Sequence, residues 1–98
     1  MLRLLKIEGS SLEPEYQEGD YVVVSIVPFF FRSIRAGDVI VFQQLVFGIM
    51  IKRVEWLDSG QGCVFVTGTH PDSIDSRRFG PVRLRDVIGK VICHIRKK

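Results

Sequence analysis

"AGDVIVFQQLVFGIMIKRVEW", residues 36–56, decides the fold class. A Gly-Asp turn signal opens onto Val39, Ile40, Val41 and Phe42, and a second apolar run, Ile49, Met50 and Ile51, follows Gly48. Short runs of β-branched and aromatic residues bounded by Gly and Asp are strand signals. No apolar period of 3.6 residues runs through either stretch, so neither reads as helix.

The same pattern extends outward in both directions. Candidate strands cover residues 2–8, 21–27, 39–46, 49–56, 63–67 and 88–96, separated by "EGD", "AGD", "DSGQG" and "GTHPDS". Helix is expected only as a turn near residues 12–16 and another near 83–87. "EGDYVVV" and "AGDVIVF" look alike, yet two copies of turn-plus-strand do not make a repeat protein. The expected fold is all-β: several short, coiled antiparallel sheets with very little helix. A chain of 98 residues, 46% of them hydrophobic, is long enough for one core and reads as a single domain, 1–98.

Bulk properties remove several function classes. A net charge of +3 is too mild for a nucleic-acid face, and the run Arg96, Lys97, Lys98 reads as a solvated tail. Cys63 and Cys93 each sit among apolar neighbours, which predicts buried free thiols rather than a disulfide framework. Neither has metal-ligand spacing to His70 or His94, so no metal and no other cofactor is expected. No apolar run reaches the ~18 to 20 residues of a membrane span. The start, "MLRLLKIEG", has no long apolar segment followed by a small-residue cleavage site, so it does not read as a secretory signal. The expected location is cytoplasmic or peripheral at a membrane surface.

Two places interrupt the apolar pattern. In "GIMIKRVEW" strand alternation puts Met50, Lys52, Val54 and Trp56 on one face, so Lys52 is the only charge on an apolar surface. Such a lysine either snorkels, its stem covering the face, or is desolvated. Burial disfavours the ammonium, and a neutral amine near pH 7 is a general base. The second interruption is "SIDSRRFG", residues 73–80, which packs Ser73, Asp75, Ser76, Arg77 and Arg78 together. It reads either as a surface turn with a local ion pair or as a polar brace placed under a site.

A serine needs an adjacent base to become nucleophilic, and lysine is a recognised substitute for histidine in that role. Ser10 and Ser11 stand on a Gly/Pro-rich turn, "EGSSLEPEYQEGD", residues 8–20. Taken in order, "GSSLEP", "EGDYVVV", "AGDVIVF", "IKRVEW", "SIDSRRFGPV" and "IGKV" resemble the catalytic core of the type I signal peptidases. These are serine–lysine enzymes of bacteria and of the mitochondrial inner membrane, with the LexA-type self-cleaving repressors as more distant relatives. The resemblance implies a small, anchorless member. It sets Gly9-Ser10-Ser11-Leu12-Glu13-Pro14 on the pattern Gly-x-Ser-Met-x-Pro, so Ser11 is the implied nucleophile. Lys52, in the Lys-Arg pair with Arg53, is the implied base. Ser73 would orient its amine, and Asp75, Ser76 and Arg77 would support the site, Asp75 and Arg77 as an ion pair. The backbone N–H of Ser11, with Ser10, would supply oxyanion donors. Leu12 replaces the family's Met, "GTHP" replaces Gly-Asp-Asn, and the spacer to Ser73 is one residue shorter.

The resemblance implies a serine endopeptidase that cuts a leader or signal-like peptide after small residues, the peptide lying as an added strand. Small anchorless relatives include the maturation peptidases of nickel-type superoxide dismutase. Phe29, Phe30 and Phe31, flanked by Pro28, Arg32 and Arg35, form a candidate membrane or substrate loop. The competing reading is a non-catalytic β module that binds a partner or a membrane surface through that loop. A serine–histidine hydrolase would need His70 as base, and no acidic orienter for it is evident.

Overall fold

The structure is a computed structural model that describes residues 1–9, 15–26, 34–69 and 73–97. The fold is all-β and antiparallel. Its strands are β1 (Leu2–Lys6), β2 (Tyr21–Ser25), β3 (Val39–Gln44), β4 (Gly48–Asp58), β5 (Cys63–Thr67), β6 (Val82–Arg83) and β7 (Val87–Ile95). Among the described residues, helix is limited to α1 (Ser76–Phe79) and a 3-10 turn at Leu84–Asp86. That turn falls inside the span 83–87. The turn expected near 12–16 lies mostly outside the described residues.

The strands expected to form several sheets are joined by hydrogen bonds into one, in the order β1-β2-β7-β3-β4-β5-β6. Bulges let that single sheet coil. Ile92 is extra where β7 passes β2, because Val23 pairs with Cys93 and Val24 with Val91. Ile88 is extra where β7 passes β3. A bulge adds a residue to one strand and sharpens its twist, so the sheet wraps around two cores. β3 lies between them: Ile40 and Phe42 pack with Val54, Val64 and Val66, while Val39 and Val41 pack with Ile7, Val22 and Val24. This explains four consecutive buried residues in β3, both of whose faces are covered.

Two expectations are corrected by the structure, one drawn from strict alternation and one from apolar neighbours. Glu55 is the extra residue where β4 passes β5, since Val54 pairs with Val66 and Trp56 with Phe65. The face beyond it therefore switches. Leu57 joins the core with Val54, and Trp56, expected beside Lys52, is exposed and stacks on Phe65 at 5.1 Å. The second correction is Cys93. It is free but exposed, because the Ile92 bulge turns it outward; Cys63 is free and half-buried. α1 and β6 were not expected. α1 is one turn long, started by the Asp75 carboxylate accepting from the Arg77 N–H.

Gly89 accounts for the "IGKV" block in β7. A Cβ there would stand 2.4 Å from Val24 Cγ1 and 2.6 Å from the Ser25 carbonyl oxygen. Gly89→Ala is therefore expected to cost about 1–3 kcal/mol by overpacking, read as a lower urea midpoint; an unchanged midpoint would show that β2 and β7 do not approach this closely. The far end of β7 is tied down by Asp20. Its carboxylate accepts from the N–H of Lys97 and of Gln17, both at 3.0 Å, and meets His94 Nε2 at 2.7 Å. Those contacts, the Lys97 amide first, hold its pKa at about 2.

Candidate active site

Lys52 sits where the two halves of β4 change partners. Residues 48–52 of β4 pair with β3, and from Arg53 onward the strand also pairs with β5. Ile40 stands directly across from Lys52, which places the lysine on the face of the first core with Met50 and Val54. The residue is 2% exposed. It forms no ion pair with a described carboxylate. Burial pushes its amine below the ordinary lysine range, and the nearby charge of Asp75 opposes that shift without cancelling it. A desolvated amine is a weaker base than a free one, but a larger share of it is neutral and able to accept a proton at moderate pH.

The segment after β5 is folded back onto β5. The Val66 N–H donates to Ser76 Oγ at 2.9 Å, a buried bond, and the Gly68 N–H donates to Asp75 Oδ2 at 3.1 Å. Asp75 also receives the Arg77 side chain, Nε to Oδ1 at 3.1 Å and Nη2 to Oδ2 at 2.8 Å. Burial alone would raise the Asp75 carboxyl, but the Arg77 guanidinium and the Gly68 and Arg77 amides outweigh it, so its pKa lies below the usual value. The carboxylate is buried, while the Arg77 side chain is 62% exposed. Asp75 and Ser76 are thus internal braces, and Arg77 closes the brace from the solvent side.

This brace sets Ser73 and Ile74 in the wall of a cleft of about 620 Å³, which Lys52 also lines. The end of β1 and the residues just past it, Leu5, Lys6, Ile7 and Gly9, also line it, and the β3–β4 hairpin contributes Phe47, Ile49 and Met50. Ser73 Oγ is buried and has no hydrogen-bond partner, so no bond joins it to the Lys52 amine in this structure. A buried hydroxyl without a partner is costly. Among the described residues, the edge of β4 over residues 48–52 that faces away from β3 has no strand beside it.

Of the residues picked out by sequence, Lys52, Ser73, Asp75, Ser76 and Arg77 are brought to one region. Ser10 and Ser11 lie outside the described residues, although Gly9 lines the cleft. Phe29, Phe30, Phe31 and His70 are likewise outside them. Sequence reading passed over one anchor. The Arg53 guanidinium donates to the Gly37 carbonyl at 2.6 Å and pairs with the Glu15 carboxylate. Glu15 is 38 residues away in sequence, so no local pattern links the two.

The family model described as Peptidase S24-like matches residues 1–92. The chain belongs to the Peptidase S24-like family. No curated protein matches it at a significant level. A serine-peptidase type of fold goes with that family, and the coiled antiparallel sheet agrees with it. Membership is compatible with serine peptidase activity; the Peptidase S24-like family also includes members without catalysis.

Proposed function

We propose that this protein is a serine endopeptidase, similar to the type I signal peptidases, in which Lys52 is the general base and Ser11 the nucleophile. The observation that carries the reading is a lysine kept dry on the wall of an open cleft. Lys52 Nζ, in its neutral form, takes the proton of the Ser11 hydroxyl as Ser11 Oγ attacks the scissile carbonyl carbon. The tetrahedral intermediate places its negative charge on the former carbonyl oxygen, for which the Ser11 N–H, with Ser10, is the proposed donor set. The protonated amine then hands its proton to the leaving amine, the C–N bond breaks, and an acyl–Ser11 ester remains. Water hydrolyses the ester, with Lys52 again receiving and returning the proton. Ser73 Oγ, buried beside the cleft and without a partner, is suited to hold the Lys52 amine once substrate closes the site.

The substrate is proposed to be an extended peptide with small residues before the cut. It would add as a strand along residues 48–52 of β4, whose backbone groups on that side have no described strand to pair with. No cofactor takes part. Hydrolysis of an Ala-x-Ala peptide tests the proposal, with wild type compared against Ser11→Ala and Lys52→Ala. Loss of about 10³-fold or more in kcat/KM is expected in both variants. Retention of the wild-type rate by either one removes that residue from the mechanism.

A further inference from the structure

The turn between β3 and β4 is built the wrong way round for a water-facing loop. Turns favour Gly, Asn, Asp and Ser, yet this one is Leu45, Val46 and Phe47, closed by Gly48 at φ +80°. Leu45 is 97% exposed and Val46 76%. The geometry is held firmly. Gln44 Oε1 accepts from the N–H of Val46 at 2.6 Å and of Phe47 at 2.7 Å, which caps the turn from inside. The Phe47 ring packs against Phe79 at 6.3 Å, and Phe79 packs in turn against Phe42 of the core. A rigid, apolar tip thus projects from the molecule beside the cleft that Phe47 lines.

We propose that residues 45–47 form a peripheral anchor that inserts into an anionic lipid surface. Two observations select lipid over protein. The tip is narrow: three turn residues offer far less than the roughly 800 Å² per partner that a stable protein interface buries. A positive charge also lies close by. Arg78 precedes Phe79 on α1, is exposed, and pairs with no described carboxylate, whereas the neighbouring Arg77 is taken up by Asp75. Apolar insertion with cations at headgroup level is the pattern of interfacial binding, and anionic lipid strengthens it. The anchor would hold the mouth of the cleft against the surface. Residues 45–47 are a different stretch of sequence from the candidate loop at residues 29–31, which lies outside the described residues, and the proposal does not depend on the chemistry assigned to Ser11 and Lys52.

Co-sedimentation with vesicles of phosphatidylglycerol and phosphatidylcholine, and with phosphatidylcholine alone, tests it. The wild type is expected to bind the anionic vesicles, and to bind them less as salt rises. Leu45→Asp and Val46→Asp are expected to bind about tenfold more weakly or worse, with unchanged circular dichroism and unfolding midpoint because both positions are exposed. Arg78→Glu is expected to weaken binding to anionic vesicles selectively. Absence of wild-type binding, or equal binding by Leu45→Asp, overturns the proposal. So does concentration-dependent self-association that Val46→Asp abolishes without any vesicle binding, which would make the tip a contact between copies.

Discussion

Lys52→Met is expected to make the protein more stable and inactive at once. The lysine is desolvated and its folded-state pKa lies below the ordinary value near 10.5. Protonation therefore favours the unfolded chain. Above the ordinary lysine pKa both states are neutral and the penalty is absent. It grows as pH falls toward the folded-state pKa and is complete below it. Methionine has similar length, carries no charge and suits the apolar surroundings of Ile40, Met50 and Val54. The expected gain is about 1–2 kcal/mol at neutral pH, or about 4–8 °C in Tm for each kcal/mol. It should shrink as pH approaches 10.5. Urea unfolding at pH 6, 8 and 10 measures this. A methionine variant less stable than wild type at pH 6 would mean that the ammonium is well accommodated, and the role of Lys52 as a base would lose its physical footing. A residue that costs stability where it stands is better explained by chemistry than by folding.

The second large effect is an asymmetry within one ion pair. Asp75→Ala removes a buried acceptor used by the Gly68 and Arg77 amides and by two nitrogens of the Arg77 side chain. Hydrogen bonds to a charged group, together with buried donors left without a partner, put the expected loss at about 3 kcal/mol. Arg77→Ala removes a side chain that is mostly in water, and the Asp75 carboxylate keeps its two amide donors. Its cost should be a small fraction of the other. Asp75→Ala should also lower activity beyond its effect on stability, because the same carboxylate holds the segment that carries Ser73 to the cleft. Denaturant midpoints of the two variants decide the matter; equal losses would mean that the pair works as an exposed bridge and does not brace the site.

The parts of this molecule legible in sequence are those governed by local pattern. The strand Cys63–Thr67 lies where the pattern puts it, and β3 starts where expected at Val39 but ends at Gln44, two residues short of the expected end, because the apolar Leu45 and Val46 form the turn. Lys52 stood out because a single charge interrupts an apolar face, and its burial follows from that face being core. Alternation failed at Glu55 and Ile92, since a bulge shifts register without any sequence mark that differs from an ordinary strand residue. Hence Trp56 was assigned to the wrong side, and Cys93, expected buried from its apolar neighbours, is exposed. α1 is too short to show a helical period; its one signal is Asp75 ahead of Ser76, a residue type that caps helices. β6 spans only two residues and has no period to read. Contacts between distant residues, such as Asp20 with His94 or Glu15 with Arg53, leave no trace in one sequence. The Gln44 cap was in principle readable, as a polar residue ahead of an otherwise apolar turn, but only coordinates show both amides aimed at one oxygen.

Titration of the Lys52 side chain by NMR, following its 13Cε resonance in the folded protein, bears most directly on the claim that this amine is a base. It needs no substrate and no assumption about what the substrate is. The account predicts a midpoint clearly below the ordinary lysine value of about 10.4, separated from the exposed lysines, with the protein still folded at that pH. A midpoint at or above that value would place a permanently charged ammonium on the wall of the cleft and contradict the account.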